Sequence, residues 1–419
     1  MQEEGKSTEK QQESSARETF ISNENEKSTN IMSKPNVTRN NVLKRGILRD
    51  IGGNRITTNN DGLKNQAVKP VSRLPIFKGH LTKNKSISIK PKQNVMKENT
   101  RSIEVKEAEP TTITSVINKT KTLQIDKTYV INKSPGIKNI DKDDDRNPFL
   151  LSAYAMDIFD YLRSLEKSHL IQEDYLKGRE ITPKVRAVLI DWLVEVQQEY
   201  HLLQETLHIT VGILDTYLQK MEHMDRKHMQ LVGIASLFLA SKYEEITVPA
   251  VEDLVYISAA TFKESDLYEM EREIFRTIGF DISRPISLSF LRRYSKAAMA
   301  RSDQHTHAKY FLELALVEYS LCHIKPSLIA AAALCLALFV TSDQNKTASS
   351  LWTKTLHYYS SYTFNDFKDI FKKLAKVVVN ARNQKHQAVV QKYSSSKFFR
   401  VSTQKCLQSE CIKALAISV

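Results

Sequence analysis

Hydrophobic residues recur at helical spacing from about residue 149 to residue 381, and short polar breaks separate the runs. Apolar residues three and four positions apart share one face of a helix, whereas a strand alternates every second residue. The spacing therefore predicts an all-α protein. The predicted helices span residues 149–165, 184–200, 205–220, 227–245, 248–258, 263–279, 287–300, 303–322, 326–340, 348–359 and 364–381.

Two of these runs, 229–245 and 326–340, are apolar almost all round. A helix without a polar stripe belongs inside a bundle, and small residues such as Gly233 and Ala240 let neighbouring helices approach closely. Each run is the third of five predicted helices, and Arg284-Pro285 separates the two sets. An internal repeat of about 100 residues predicts two tandem five-helix domains, at 146–282 and 283–382, with an N-terminal helix before them and an extension at 383–419.

The first 145 residues have a different composition. They hold 27 Lys and Arg against 18 Asp and Glu, few aromatic residues and no sustained period. Such a segment cannot bury enough apolar surface to offset its ordering entropy, so we predict a disordered basic tail. Contact with nucleic acid is an alternative, but the charges are dispersed singly and few rings are present to stack on bases, which favours a soluble tail.

Several classes of protein have no support in the sequence. No apolar run approaches the roughly 20 residues that span a bilayer, and the four cysteines form no CxxC pair, which argues against zinc and fits a reducing compartment. Phosphate-binding loops and the common hydrolase, metalloprotease and kinase strings are absent. We therefore expect a binding protein with no cofactor, no metal and no catalytic residue.

Three groups of residues in the helical part are candidates for special roles. Lys242 follows the apolar run of helix 227–245. It is either a polar residue at the point where the helix leaves the core or a binding residue. The helix VRAVLIDWLVEVQ places Val185, Leu189 and Trp192 on one face, a pattern that usually indicates core. The same helix carries a charged Arg186, and Asp215 is its candidate partner because buried ions need one.

The longest strings resemble one family. VRAVLIDWLVEVQ, HLLQETLHITVGILDTYL, LVGIASLFLASKYEE, LSFLRRYSKA, QHTHAKY and KYSSSKF match, in this order, the pattern of a B-type mitotic cyclin. The resemblance covers roughly residues 146–400. It implies two five-helix cyclin boxes after an N-terminal helix, and a regulatory subunit, not an enzyme, that binds and activates a mitotic cyclin-dependent kinase. The alternative is a nucleic-acid-binding protein similar to the two-box general transcription factors, but residues 146–419 hold a net charge of only +4 (34 Lys and Arg against 30 Asp and Glu) and no zinc ribbon precedes them.

The resemblance also implies residue roles in the boxes. Arg186 and Asp215 would form an ion pair inside the fold, Leu231 would be core, and Lys242 with Glu271 would contact the kinase. The stripe of Val185, Leu189 and Trp192 would be an exposed groove for protein substrates with Arg-x-Leu motifs, with polar contacts from Glu195 and Gln230. The family usually has Met where this chain has Val185, and the shorter, β-branched residue makes a shallower and stiffer pocket.

The tail matches the family only through two short strings. Arg45, Leu48 and Ile51 resemble a destruction box, with Asn54 one position later than usual, and Lys97, Glu98 and Asn99 resemble a KEN box. Both would be bound by the anaphase-promoting ubiquitin ligase, and a KEN tripeptide also arises by chance in such a tail. We expect the protein in cytoplasm and nucleus. In the second box, Arg292, His305 and Lys309 are either a phosphate-binding cluster or a solvated basic face.

Overall fold

The computed structural model describes residues 136–144, 146–342 and 346–417. These residues belong to one compact unit, and they form α-helices and short 3-10 turns without any strand. The predicted tail, apart from its last residues, lies outside them. No helix in this part of the chain has the length and apolarity that crossing a membrane requires.

The helices follow the predicted order. An N-terminal helix α1 (Ala155–Leu165) precedes the first box, and short helices α13 (Ala388–Lys392) and α14 (Glu410–Ile417) follow the second. The first box consists of α2 (Pro183–Glu199), α3 (Gln204–Lys220), α4 (Met229–Glu244), α5 (Val251–Ile257) and α6 (Glu264–Thr277). The second box consists of α7 (Ser287–Ala298), α8 (Ser302–Val317), α9 (Pro326–Val340), α10 (Ala348–Leu351), α11 (Lys354–Ser360) and α12 (Phe364–Asn380).

The largest differences from the predicted boundaries are at three places. The first helix begins at Ala155, because the residues before it form 3-10 turns around Leu151, whose φ is 46°. The helix predicted to reach residue 322 ends at Val317, and a 3-10 turn follows. The run 348–359 is two helices, since Thr353 leaves the helical conformation and its side chain caps α11 by accepting from the backbone N–H of Leu356.

Helix α4 is the centre of the first box, as its pattern predicts. It packs against α3, α6 and α2, and every residue from Leu231 to Ser241 is buried. Gly233 lies against Leu189 of α2 so closely that a Cβ there would come within 2.8 Å of the leucine Cδ1. The missing side chain therefore sets the distance between α2 and α4.

Helix α9 has the same position in the second box. It packs against α7, α8 and α12, and its residues from Ile329 to Ala337 are buried. Alanines occupy four successive positions from Ala330 to Ala333, so the neighbouring helices approach its backbone on several sides. The internal repeat predicted from the sequence is therefore present in the fold.

The C-terminal extension is part of the core. Lys392 is buried, and its Nζ lies 2.7 Å from both carboxylate oxygens of Glu313 on α8 and 2.9 Å from the side-chain oxygen of Gln197 on α2. The Tyr393 hydroxyl also donates to Glu313 at 2.9 Å. On α2, Asp191 accepts a hydrogen bond from the backbone N–H of Ala388 at 2.9 Å. The extension therefore links the two boxes.

The residues before α1 are bound to the second box. The Asp141 carboxylate accepts two hydrogen bonds from the Arg293 guanidinium, at 2.5 and 2.6 Å, and the Tyr359 hydroxyl bonds the backbone of Lys138 and Ile140. After α1, the buried Glu166 accepts from the backbone N–H and the hydroxyl of Ser327, at the first turn of α9. Segment 136–144 and α1 are thus anchored on the second box.

The face by which α1 packs does not follow from its apolar period alone. The period places Ile158, Tyr161, Leu162 and Leu165 on one face, but Ile158 and Tyr161 are exposed. The packed residues are Met156, Phe159 and Leu162, and the Phe159 ring lies 5.9 Å from that of Phe290 on α7. Helix α1 has apolar residues on both sides, so its period alone does not identify the inner one.

Candidate functional site

Lys242 and Glu271 form an ion pair at the surface of the first box. Lys242 lies in the last turn of α4 and Glu271 in the middle of α6, and the Lys242 Nζ is 2.5 Å from the Glu271 Oε1. The ammonium group also lies 4.0 Å from the centre of the Phe238 ring, a cation–π contact that holds it in place. The lysine side chain is 43% exposed and the glutamate side chain 13%. The pair is therefore ordered but open to a partner.

Exposed apolar residues follow and flank this pair in the same two helices. Tyr243 is the next residue of α4, Ile246 lies just beyond its end, and Tyr268 is on α6, one turn before Glu271. All three are exposed, Ile246 at 91%. Large apolar side chains that lie in water beside an ordered charge pair are typical of a surface that another protein covers.

A second exposed apolar face lies on the N-terminal helix. Tyr154, Ile158 and Tyr161 are exposed, and their spacing of four and three places them on one side of α1. The opposite side of α1 is packed against the second box. The face of Tyr154, Ile158 and Tyr161 is therefore presented to solvent by a helix that is itself fixed in place.

The two acidic residues after Lys242 have different environments. Glu245 accepts hydrogen bonds from the backbone N–H of Leu203, at 2.7 Å, and from the hydroxyl of Thr206. These groups belong to the start of α3, so Glu245 caps that helix. Burial, together with the neighbouring charges of Glu205 and Glu245, raises the pKa of Glu244. Of the charged residues at the end of α4, Lys242 is the one that forms an exposed pair with α6.

Arg186 and Asp215 meet in the interior, as predicted. The Arg186 Nε and the second guanidinium nitrogen lie 2.7 Å from the two Asp215 oxygens, and both side chains are buried. Tyr175 donates a further hydrogen bond to Asp215 at 2.8 Å. The remaining guanidinium nitrogen donates to the carbonyl of Leu316, 3.0 Å away in the last turn of α8. The pair therefore stabilises the first box and also ties it to the second.

The predicted groove of Val185, Leu189 and Trp192 is not an open surface. Leu189 is 0% exposed, Val185 3% and Trp192 7%. The prediction of an exposed groove is wrong for Leu189, which is core because α4 approaches closely at Gly233. Glu195 is half-buried on the same helix, and the side-chain oxygen of Gln230 accepts from the Thr261 hydroxyl at 3.3 Å.

Arg292, His305 and Lys309, the predicted phosphate cluster, all belong to the second box, and the charges of Lys309 and Arg292 act on His305. Burial, followed by the nearby charges of Lys309 and Arg292, lowers the pKa of His305 to about 3, and the His305 Nδ1 lies 2.8 Å from the Ser295 hydroxyl. Arg292 forms an ion pair with Glu205 of the first box. His305 is therefore neutral at physiological pH, and the positive charge of the cluster belongs to the exposed Arg292 and the half-buried Lys309.

Two further sets of residues are the degron-like strings of the tail and a buried ion pair. The degron-like residues Arg45, Leu48, Ile51, Asn54, Lys97, Glu98 and Asn99 lie outside the described residues. The buried pair of Lys392 and Glu313 was missed by the sequence reasoning. The string KYSSSKF, which contains Lys392, was the one available signal, because it matched the family pattern.

Comparison with known proteins gives a consistent result. Residues 157–283 match the family described as "Cyclin, N-terminal domain", and residues 285–407 match "Cyclin, C-terminal domain". The G2/mitotic-specific cyclin-B of Spisula solidissima is 46% identical over 280 residues, which cover 67% of this chain but only 64% of that protein. The G2/mitotic-specific cyclin-B2 of Rana japonica is 39% identical over 385 residues, covering 90% of this chain and 92% of that protein.

Among solved structures, an X-ray structure of a viral cyclin from herpesvirus saimiri is similar with a TM-score of 0.44 and 22% identity. The similarity covers 52% of this chain and 97% of the viral chain.

Proposed function

The chain belongs to the cyclin family as a B-type cyclin, and from this premise we propose that it binds and activates a mitotic cyclin-dependent kinase at the G2/M transition. Members of the family are regulatory subunits, so the kinase supplies every catalytic group. Membership of the B-type cyclins argues against the nucleic-acid-binding alternative. Its location in cytoplasm and nucleus stays a prediction.

The observation that carries this proposal is the exposed ion pair of Lys242 and Glu271. Both partners are already held in position, Lys242 by the Phe238 ring and Glu271 by Lys242 itself. An ordered pair loses little side-chain entropy when another protein covers it. Tyr243, Ile246 and Tyr268 add exposed apolar area in the same helices, which would contribute most of the binding free energy through removal from water.

The mechanism we infer is conformational. An active protein kinase needs its strand β3 lysine paired with a glutamate of its αC helix, and positioning of αC controls that pair. The surface of α4 and α6 would bind αC and hold it in the orientation that forms the pair. The exposed face of α1, with Tyr154, Ile158 and Tyr161, would extend the contact on the same kinase.

The experiment is a double substitution with a matched control. Lys242→Ala with Glu271→Ala should abolish kinase activation and leave the fold intact, because Lys242 is exposed, Glu271 is only partly buried, and both partners of the pair are removed together. The control is Lys413→Ala with Glu410→Ala, which removes an exposed pair of the same residue types on α14. Kinase binding and histone phosphorylation are measured for both. Undiminished activation by the Lys242 and Glu271 variant would show that the interface lies elsewhere.

We also propose that the protein is destroyed at mitotic exit. The support for this proposal is the sequence alone: Arg45, Leu48, Ile51 and Asn54 resemble a destruction box, and residues 97–99 form a KEN string. Changing Arg45, Leu48 and the three KEN residues to Ala should lengthen the life of the protein after anaphase. An unchanged half-life in synchronised cells would exclude both strings as degrons.

Docking of substrates with Arg-x-Leu motifs is proposed at a narrower site than the predicted groove. Trp192 is 7% exposed, and Glu195 on the same helix carries a carboxylate that would pair with the arginine of the motif. Glu195→Gln should slow phosphorylation of protein substrates with such motifs more than that of short peptides that lack them. If Glu195→Gln slows both substrate types by the same factor relative to the unsubstituted chain, docking does not take place at this site.

Recognition of phosphorylated partners by Arg292, His305 and Lys309 is likewise a proposal. Its support is that these residues lie within electrostatic reach of one another. The Arg292 guanidinium is already paired with Glu205, and although burial acts to raise the pKa of Glu205, the guanidinium lowers it below the usual value. A phosphate would therefore have to compete with Glu205. Arg292→Ala with Lys309→Ala should weaken binding of a phosphopeptide but not of its unphosphorylated form. If the affinity for both peptides falls equally, these residues do not recognise the phosphate.

A further inference from the structure

A groove of about 420 Å³ opens where the first box, the second box and the C-terminal extension meet. We name it the three-way groove. Ala187 of α2 lines it from the first box, Val317 and Val377 from the second, and Val389 from the extension. None of its lining residues belongs to α4 or α6, so it is separate from the surface of Lys242 and Glu271. Grooves at the meeting points of domains are common binding sites.

The charged residues of the groove are mostly basic. Lys373 and Lys376 both line it from α12, and their spacing of three places them on one helix face, about 5–6 Å apart at Cβ. Neither lysine forms an ion pair within the part of the chain that the structure describes. Glu318 is the acidic residue of the lining, and its carboxylate already accepts from the backbone N–H of Ser320 at 3.2 Å and from its hydroxyl at 2.9 Å. The groove therefore presents two cations and one hydrogen-bonded carboxylate beside apolar side chains.

We propose that the three-way groove binds an extended acidic segment of a partner protein, with two carboxylates two positions apart followed by aliphatic residues. Residues two apart in an extended chain share one side and are about 7 Å apart, which matches the spacing of the two lysines. The carboxylates would pair with Lys373 and Lys376. The aliphatic side chains would cover Val317 and Val377, which are half-buried, and this apolar contact would supply the affinity that exposed ion pairs lack.

The lining favours this occupant over a nucleic acid. Single-stranded nucleic acids are bound by basic grooves with aromatic side chains on which the bases stack. The groove is lined by no Phe, Tyr or Trp, and its walls carry aliphatic residues instead. Aliphatic walls with two lysines are complementary to a peptide that is both acidic and apolar.

The test is a direct binding measurement on the full chain. A fluorescein-labelled peptide with the sequence pattern Asp-x-Glu-x-Leu-x-Val, which places all four side chains on one side of an extended chain, is titrated with the protein and followed by anisotropy. Two further peptides replace the carboxylates with amides, or the Leu and Val with serines. The variant Lys373→Ala with Lys376→Ala is compared with Lys354→Ala with Lys368→Ala, which removes the same charge from exposed positions on α11 and α12.

The expected result is binding of the acidic aliphatic peptide that becomes about tenfold weaker in the Lys373 and Lys376 variant. The control variant should keep the original affinity, both modified peptides should bind at least tenfold more weakly, and added salt should weaken binding further. No binding at about 1 mM protein, or equal binding by the two variants, would overturn the proposal. Equal binding of the serine peptide would also overturn it, because the groove would then bind charge alone. Kinase activation should be unchanged in the Lys373 and Lys376 variant.

Discussion

The two central helices, α4 and α9, hold the same place in their boxes and end in different ways. Helix α4 ends with Lys242 exposed and paired with Glu271 of the neighbouring helix. Helix α9 is followed by Thr341, whose side chain bonds within the second box. Its hydroxyl donates to the carbonyl of Ala337 at 2.7 Å and accepts from the side-chain amide of Gln304 at 3.0 Å. The bodies of the two helices serve packing alone. From this difference we expect the first copy of the repeat, with its exposed lysine, to be the one that faces a partner.

The two boxes are more alike in their interiors. Each has one buried ion pair that reaches beyond its own box: Arg186 with Asp215 in the first, and Glu313 with Lys392 of the extension in the second. Each also has a buried histidine next to a serine of α7, since the Nδ1 of His208 lies 3.3 Å from the Ser287 hydroxyl, while His305 faces Ser295. These parallels allow matched substitutions in the two copies.

The largest effect is expected from breaking the buried pairs. Lys392→Met or Arg186→Met leaves a buried carboxylate without its cation, which costs about 3–5 kcal/mol in the free energy of unfolding. Urea denaturation measures each cost. Lys413→Met, at an exposed pair, should change stability by less than about 1 kcal/mol. If Lys392→Met behaves like Lys413→Met, the extension is not part of the second box's core.

A smaller effect is expected from acid. Burial lowers the pKa of His208 to about 4 and that of His305 to about 3, against about 6.5 in the unfolded chain. The unfolded chain therefore binds more protons, and the stabilisation, complete above about pH 6.5, is lost as the pH falls toward the folded-state values. Between pH 6.5 and 5 each histidine should account for about 2 kcal/mol.

Urea denaturation at pH 7.5 and pH 5 checks this loss. His208→Gln and His305→Gln should each reduce the pH dependence by a similar amount, whereas the exposed His223→Gln should leave it unchanged. A pH dependence that His208→Gln leaves intact would mean that this histidine is protonated in the folded chain.

A change of about 1 kcal/mol is expected from exchanging the fifth residues of the two central helices, Gly233 in α4 and Ala330 in α9. Gly233→Ala would place a Cβ 2.8 Å from the Leu189 Cδ1, and the overpacking, about 1–3 kcal/mol, should exceed the gain in helix propensity of about 1 kcal/mol. Ala330→Gly should also destabilise, through lost propensity and a small cavity. Thermal unfolding measures the change in stability for both variants. Stabilisation by Gly233→Ala would mean that position 233 of α4 accepts alanine as position 330 of α9 does.

The smallest change in stability is expected at the ends of the same helices. Lys242→Ala with Glu271→Ala removes an exposed pair, so the free energy of unfolding should change by less than about 1 kcal/mol while kinase activation is lost. Thr341→Ala should show the reverse, with about 1 kcal/mol of destabilisation and full activation. Loss of activation by Thr341→Ala would contradict the assignment of α4 as the copy that faces the kinase.

Helical periodicity was sufficient to predict the helices and the repeat, because a bundle places its apolar residues every three to four positions. It did not predict the inner face of α1, since Met156 and Phe159 on one side and Ile158 and Tyr161 on the other are equally apolar. Burial of the Leu189 stripe also depends on a neighbour, Gly233 of α4, that lies far along the chain. Local sequence does not contain that contact.

The site was predictable only in part for a similar reason. Lys242 and Glu271 were identified by resemblance to cyclins, and their separation of 29 residues allowed no derivation from spacing. Lys392 and Glu313 are 79 residues apart, and a lysine near the end of a chain is ordinarily exposed. Pairing of this kind is decided by how the two boxes and the extension close on each other.

The attachment of segment 136–144 to the second box has a mechanical consequence. A ubiquitin-directed unfoldase that pulls the chain from its N-terminal side would load Lys138, Ile140 and Asp141 before it loads any helix. The first bonds to bear force would be those of Gly136 and Lys138 to Thr355, followed by those to Tyr359 and Arg293. Their rupture would free the segment up to α1, and Glu166 would then transmit the pull to Ser327 at the first turn of α9. Force would therefore enter through the second box, away from Lys242 at the end of α4.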